Sequence, residues 1–348
     1  MSQVGLSILY LGTDSGTCRL RRHALERLGH RPVVIDPFSA LPPFGAARAW
    51  SFRTGGLGFE ALARRYVLNR IGDLRFDLVL VDGGELVGPG LVRDLRTVAP
   101  ALVHFNLDNP FVDRDGGRWR LVRKSMPHYD LFVGPRDSTN AAALKAGVKR
   151  AMRIDQAADE VASRPIAFTA DDHARYDSEV AFIGVWMPER GPFMARLIER
   201  GLPLRIYGPR WERAAEHDIL KPHVVSGWVA DAAYAKAVQG AKIAIGMLSK
   251  GNEDLHTTRS MEIPAMGVLL CAERTSDHLR LYRDGAEAVF WRDADECAAQ
   301  CLALLADPAR LKAIAEAGHR RVIANKAFNE PLMARVLDEA LAAGAAAG

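Results

Sequence analysis

The sequence predicts an α/β protein made of two doubly wound parallel sheets, and three observations carry that prediction. Short apolar runs alternate with helical patterns almost from end to end, the rhythm of parallel strands joined by crossover helices. The rhythm breaks once, over residues 155–178, and then begins again as a second series. A chain of 348 residues also exceeds what one core normally organises, so two domains of roughly 150 to 180 residues are expected.

In the first series, residues 6–11, 32–36, 77–82, 101–105 and 131–133 are near-continuous apolar runs, as in strands buried on both faces. Residues 16–29, 59–72, 88–98 and 136–147 have helical apolar spacing, with Gly29 and Gly147 just past two of the ends. Residues 37–58 hold Pro37, Pro42, Pro43, Gly45, Gly55, Gly56 and Gly58 and read as a long loop suited to covering an acceptor. Residues 155–178 are polar, contain Pro165 and read as the domain linker. Strands are then expected at 180–184, 204–207, 223–225, 241–245, 268–271 and 288–291, with helices at 191–200, 230–239, 257–265, 294–306 and 308–324. The expected domains are residues 1–160 and 178–325, followed by a last helix at 330–344; the low-complexity end, 342–348, is expected to fray. Two such Rossmann-like sheets would face a central cleft, with ligands outside the carboxyl ends of the strands.

Composition excludes several classes of function. Hydrophobic residues make up 49% and charged residues 25%, the mix of a soluble globular protein, and no apolar run reaches membrane-spanning length. The first residues lack the basic start and cleavage site of a secretory leader, and the expected place is the cytoplasm, at most peripheral on the inner face of the membrane. Cys18, Cys271, Cys297 and Cys301 show neither paired metal spacing nor a disulfide framework, although the last two are helix neighbours. The ten histidines give no zinc pattern, so no metal is expected. Net charge is +4, distributed as 25 Lys and Arg against 20 Asp and Glu over residues 1–177 and 21 against 22 thereafter. That excess is too small for a nucleic-acid binder. Arg19, Arg22, Arg118 and Arg123 nevertheless suggest a basic face for an anionic acceptor or lipid surface, beside the plainer reading of a solvated face.

The densest chemistry lies in Asp254-Leu-His-Thr-Thr-Arg-Ser-Met-Glu262. Thr257, Thr258 and Arg259 bring hydroxyls and a cation to an expected helix start, where a phosphate can be held. Glu262 lies one turn on and can accept hydrogen bonds from sugar hydroxyls. Lys250 adds a second cation. Gly184, at a strand exit, would let a diphosphate approach, with Arg190 to neutralise it; an ordinary strand-to-helix turn needs the glycine as often. Tyr207 and Trp211 stand where aromatics could flank a base, and Trp228 follows the next strand. Gly12-Thr-Asp14-Ser-Gly16 is neither a dinucleotide fingerprint nor a P-loop. Asp14, Asp82, Glu85 and Asp108 all fall at strand exits of the first series, each a candidate base, although such a residue is more often a loop cap.

As an ordered set, Phe182-Ile-Gly184, Ile206-Tyr-Gly-Pro-Arg-Trp211, Gly227-Trp-Val-Ala-Asp-Ala-Ala-Tyr234, residues 241–245, residues 254–267 and Asp284-Gly-Ala-Glu287 resemble the CgeB-like (spore maturation type) glycosyltransferases of the GT-B fold, a group 1/4-like class. The resemblance spans residues 178–324, and the first half only in architecture. It implies that Glu262 binds the donor ribose, that Arg259 and the threonines bind its diphosphate, and that Asp254 approaches the sugar. Asp254, seven residues and Glu262 stand where the family has two glutamates at that spacing, and Asn325-Lys-Ala-Phe328 replaces its usual His-Thr. It further implies that the last helix packs back on the first domain. The function expected is metal-independent transfer of a sugar, more often with retention, from a UDP- or GDP-sugar to a glycan, lipid-linked or protein acceptor, with Asp14, Asp108 and Asp254 as catalytic candidates. An epimerase or hydrolase of the same fold, or a silent carbohydrate-binding scaffold, are the alternatives.

Overall fold

A computed structural model describes residues 5–345, and the chain divides into two compact units. The first comprises residues 1–155, 249–254 and 329–348, and the second residues 156–248 and 255–328.

Unit 1 runs β1 (Ser7–Leu11), α1 (Gly16–Arg27), β2 (Arg31–Ile35), α2 (Gly45–Thr54), α3 (Glu60–Ile71), β3 (Leu78–Asp82), α4 (Pro89–Leu95), β4 (Ala101–Phe105), α5 (Arg120–Ser125), β5 (Leu131–Gly134), α6 (Asp137–Lys145) and β6 (Arg150–Arg153). Its sheet is wholly parallel in the order β2-β1-β3-β4-β5-β6. Every residue of β3 and β4 is buried, as helices on both faces require. Gly29 and Gly147 have φ of +86° and +102°, the left-handed conformation that ends α1 and α6 at low cost.

Unit 2 runs α7 (Ala170–Tyr176), β7 (Ser178–Ile183), α8 (Arg190–Glu199), β8 (Leu204–Tyr207), α9 (His217–Leu220), β9 (Val224–Val225), α10 (Asp231–Gln239), β10 (Ala241–Gly246), α11 (Arg259–Ala265), β11 (Leu269–Glu273), α12 (Ser276–Leu281), β12 (Val289–Trp291), α13 (Ala294–Leu305) and α14 (Pro308–Ala324). Its sheet is also parallel, in the order β12-β11-β10-β7-β8-β9. The strand order reverses between β7 and β10, and the carboxyl ends of those strands open the crevice where such sheets bind ligands. Asp293 and Asp307 cap α13 and α14 by accepting from the amides of Glu296 and Arg310 at 2.8 and 3.0 Å.

The chain finally returns to unit 1 as α15 (Asn329–Ala345), which packs on α1 and β4 and buries Leu332, Met333, Val336 and Leu337. The expected fraying at 342–348 does not begin before Ala345, and residues 346–348 lie outside the described residues, as do residues 1–4 of the leader reading. Among the described residues, no helix is long and apolar enough to cross a membrane.

Three expectations need correction. The supposed loop 37–58 contains α2, because Gly45 and Gly55 bracket a helix rather than interrupt a loop; Gly55, at φ +62°, is its left-handed cap. The supposed linker 155–178 contains the crossing between the units, at residues 155 and 156, but from residue 156 on it is ordered structure of unit 2: Thr169 and Asp172 close a reciprocal capping box on α7, and Ala158 bridges Phe328. Residues 249–254, expected within the second domain, join unit 1. There Arg136 ion-pairs with Asp254, the Asn109 amide donates to Asn252 Oδ1 at 2.7 Å, and Arg114 donates to Ser249 Oγ at 2.8 Å.

Candidate functional site

The residues of unit 2 that the sequence singled out gather beyond β10, where the chain turns into α11. The turn from Thr257 to Arg259 is closed by the amide of Ser260 on the Thr257 carbonyl and that of Glu262 on the Thr258 carbonyl, both 2.9 Å. Thr258 Oγ1 donates to Gln156 Oε1 at 2.9 Å, so this hydroxyl already has a protein partner. Arg259 is half-buried with its guanidinium 5.9 Å from the centre of the Tyr234 ring, and its Nε is buried without a partner among the described residues.

Glu262 is buried one turn further on, and its Oε2 accepts from the Tyr234 hydroxyl at 2.6 Å. Burial pushes its carboxyl above the ordinary glutamate range, and the Tyr234 bond and the Arg259 charge only partly offset that. Tyr234 in turn is raised, first by burial and then by the neighbouring carboxylate. Among the described residues, Oε1 of Glu262 has no hydrogen-bond partner, which leaves it to accept from a diol.

A buried network fixes this turn from behind. His256 Nε2 accepts from the Gln156 amide at 3.0 Å, so its Nδ1 carries the proton given to Asp277 at 2.7 Å. His278 Nδ1 faces the Glu273 carbonyl at 2.6 Å and must donate there; its Nε2 therefore accepts from Ser260 Oγ at 2.8 Å. Burial pushes His278 down to about 4, so it stays neutral and holds that tautomer through neutral pH. The sequence reading missed Gln156, Tyr234, His256, Ser260, Asp277 and His278. Tyr234 was legible within the resemblance, whereas Gln156 sat in the segment taken for a linker.

Other expected donor residues take different places. Gly184 lies at the switch-point strand β7, but the space above it is filled: an added Cβ would stand 2.7 Å from the Phe182 ring and 3.3 Å from the Arg190 guanidinium. Arg190 is buried, donates to the Val185 carbonyl at 2.8 Å and covers Phe182, so it secures the strand exit. Tyr207 and Trp211 are buried in the core, where Trp211 donates to the Gly184 carbonyl at 3.0 Å, and neither offers a face to a base. Trp228 is 79% exposed. Lys250 belongs to the segment held by unit 1.

The three catalytic candidates all lie in unit 1 and are all engaged. Asp14 is exposed and paired with Arg22 at 3.0 Å. Asp108 lies between Arg118 at 3.4 Å and Arg114 at 4.0 Å. Asp254 is buried against Arg136 and also accepts from Asn252 at 2.8 Å. Asp82 is clamped by Arg21 and Tyr10, and Glu85 by Arg118. Three of the four arginines expected to form a basic face are engaged within the protein as well. Arg22 bonds Asp14 and Glu26, Arg118 bonds Glu85 and Asp115, and Arg123 donates to the Pro110 carbonyl at 2.9 Å. Sequence distance hid the partners of Asp82, Glu85 and Asp254, whereas those of Asp14 and Asp108 lie within ten residues of them.

The strand β11 and helix α13 bring three cysteines together that spacing alone left apart: Cys271 Sγ lies 3.8 Å from Cys297 and 3.6 Å from Cys301. Their surroundings are apolar core, and hydrogen bonding among the thiols together with burial pushes Cys271 up, so the three pack as small hydrophobes.

Residues 190–334 match the family described as Glycosyl transferase-like. No curated protein matches the chain. Among solved structures, a sucrose-phosphate synthase from Thermosynechococcus elongatus is similar at a TM-score of 0.70 and 14% identity, covering 97% of this chain and 99% of that one. HepE from Anabaena, in complex with UDP and glucose, reaches 0.67 at 14% identity over 96% and 100%. The E. coli structure described as trehalose-6-phosphate bound with UDP-2-fluoro glucose reaches 0.64 at 13% identity over 96% and 99%. At these identities the structural likeness establishes the architecture, two parallel six-stranded sheets flanked by helices in the GT-B arrangement. With a glycosyl transferase-like match over residues 190–334 and that architecture throughout, the chain is a glycosyltransferase.

Proposed function

We propose that this enzyme takes its sugar from a nucleoside-diphosphate donor bound by unit 2, and that UDP is the nucleotide. The observation that carries the reading is the pairing of Arg259 with Glu262 one turn apart, a cation with an unpartnered buried Nε and a carboxylate with an open oxygen. Arg259, with the Thr257 hydroxyl, meets the diphosphate, and Glu262 accepts from the ribose hydroxyls. Two of the similar structures hold UDP or a UDP-sugar, which supports the choice of base. Breaking the bond between anomeric carbon and phosphate builds negative charge on the diphosphate, and Arg259 stabilises it there without a divalent metal. Retention at the anomeric carbon, membership of the CgeB-like type and an acceptor that is a glycan, lipid-linked saccharide or protein belong to the same proposal. Asp254 takes no part in it, since Arg136 neutralises that carboxylate.

The test is a calorimetric titration of UDP into the wild-type protein and the Arg259→Ala variant. Micromolar binding that weakens at least about tenfold in the variant is the expected result, in line with the loss of one charge-assisted hydrogen bond. Equal affinity in both would remove Arg259 from the donor site.

A further inference from the structure

We propose that the outer face of α2, with the turns on either side of it, is a docking surface for a bilayer containing anionic lipid. The helix buries only Ala47 and Ser51, and the rest of its surface is unusual for a face turned to water. Phe44, Trp50, Phe52, Leu57 and Leu62, all within nineteen positions of one another, are each between 42% and 59% exposed. Single exposed hydrophobic residues are ordinary; four large ones on one helix and its flanking turns, with Leu62 in the first turn of α3 beyond them, are a surface made to be covered.

The charges on α2 itself have one sign, although Asp36 acts on Arg48, and Arg118, paired with Glu85 and Asp115, lies over the Phe52 ring. Arg48 and Arg53 are the only charged residues of α2, both exposed, and neither makes an ion pair among the described residues. Arg65 and Arg70 are exposed on α3, where Arg64 is paired with Asp94 and Glu60 is the lone acid. Elsewhere in unit 1 the arginines are largely consumed by carboxylates, as Arg21, Arg22, Arg114 and Arg118 are. Aromatic and aliphatic side chains interleaved with unpaired arginines are what a headgroup region accepts: rings enter the acyl boundary and guanidinium groups stay with the phosphates. The Trp50 indole N–H donates to the Leu57 carbonyl at 3.0 Å, which ties the ring's polar edge to the protein and leaves its apolar body outward.

Charge decides between the occupants. A second copy docked through the same face would set Arg48 and Arg53 of one copy against those of the other. A neutral apolar partner would leave them without countercharge. A lipid surface carrying phosphates satisfies both the rings and the arginines. This inference stands apart from the donor reading and does not need it.

Flotation of the full chain with vesicles of phosphatidylcholine alone, and of phosphatidylcholine mixed with phosphatidylglycerol, tests it. The protein should float with the mixed vesicles, weakly or not at all with the neutral ones, and less as salt rises. Phe44→Ser/Trp50→Ser and, separately, Arg48→Glu/Arg53→Glu should each lower partition by about tenfold or more, with thermal unfolding and UDP binding unchanged. Brominated lipid should quench tryptophan fluorescence in the wild type and much less in Trp50→Phe, which keeps the apolar bulk. Absence of wild-type flotation, or equal flotation of both surface variants, would overturn the proposal. So would a dimer that the Phe44→Ser/Trp50→Ser variant converts to monomer on size exclusion, because the face would then belong to a second copy.

Discussion

Glu262 is asked to be buried and to bind, and the two demands pull against each other. Its folded-state carboxyl is raised, so it contributes stability below the unfolded glutamate range that is lost as pH rises through the folded value. Glu262→Gln keeps an acceptor for Tyr234 and removes the buried charge. We expect the variant to unfold at equal or higher temperature than the wild type at neutral pH, with the gap closing as pH falls toward 4; a variant less stable at every pH would refute this. Its donor KM should rise, while Arg259→Ala should lower kcat by about 10² to 10³ if the guanidinium faces the developing charge. Steady-state kinetics with a UDP-sugar separates the two effects. Asp254 illustrates the limit of spacing as a guide: seven residues separate it from Glu262, but Arg136, 118 positions away, decides what it does. Removing one partner of a buried pair costs about 3 to 5 kcal/mol, so Asp254→Ala should destabilise strongly. Arg136→Met/Asp254→Leu should recover most of that in denaturant unfolding, unless the pair is in truth exposed and both variants are neutral.

Elements were legible where periodicity and caps agreed. The β3 run Leu-Val-Leu-Val is apolar without interruption and, with Asp82 at its end, wholly buried, and Gly29 and Gly147 stop their helices as glycines at C′ do. Elements were misread where the signal was composition alone. The prolines and glycines around α2 resembled a loop, although seven of its ten residues come from Ala, Arg, Trp and Phe. The edge strand β6, Arg-Ala-Met-Arg, was missed because an edge strand half open to water lacks the apolar run of a central one. The long helix α15 was readable by its period, but sequence gives no sign of which surface receives it; the resemblance supplied that expectation. It packs on α1 and β4, and Met333 within it is fully buried. Met333→Ala should therefore cost about 2 to 5 kcal/mol, as truncations in a packed core do. Denaturant unfolding measures this, and a cost near zero would mean that α15 is not part of the core of unit 1.

At the scale of the molecule, the double rhythm of strands and helices was enough to predict two parallel sheets, because parallel sheets demand crossovers and leave few other arrangements. The chain's excursion into unit 1 at residues 249–254 was not legible, since Ser-Lys-Gly-Asn-Glu-Asp reads as any polar turn and its partners Asn109, Arg114 and Arg136 are remote in sequence. The donor reading makes its sharpest demand at this scale as well. Countercharge for a diphosphate can come from a metal ion or from fixed cations, and the proposal assigns it to Arg259. Binding should then persist in EDTA, because chelation removes nothing that holds the phosphates. A ligand at one hundred times its dissociation constant raises folded-state stability by about 2.7 kcal/mol, which thermal unfolding resolves easily. UDP should therefore raise the unfolding temperature equally with EDTA and with magnesium, and uridine, which lacks the diphosphate, should raise it far less. A shift that vanishes in EDTA and returns with magnesium would mean that a metal carries the countercharge. A shift as large for uridine as for UDP would mean that Arg259 does not meet the phosphates at all.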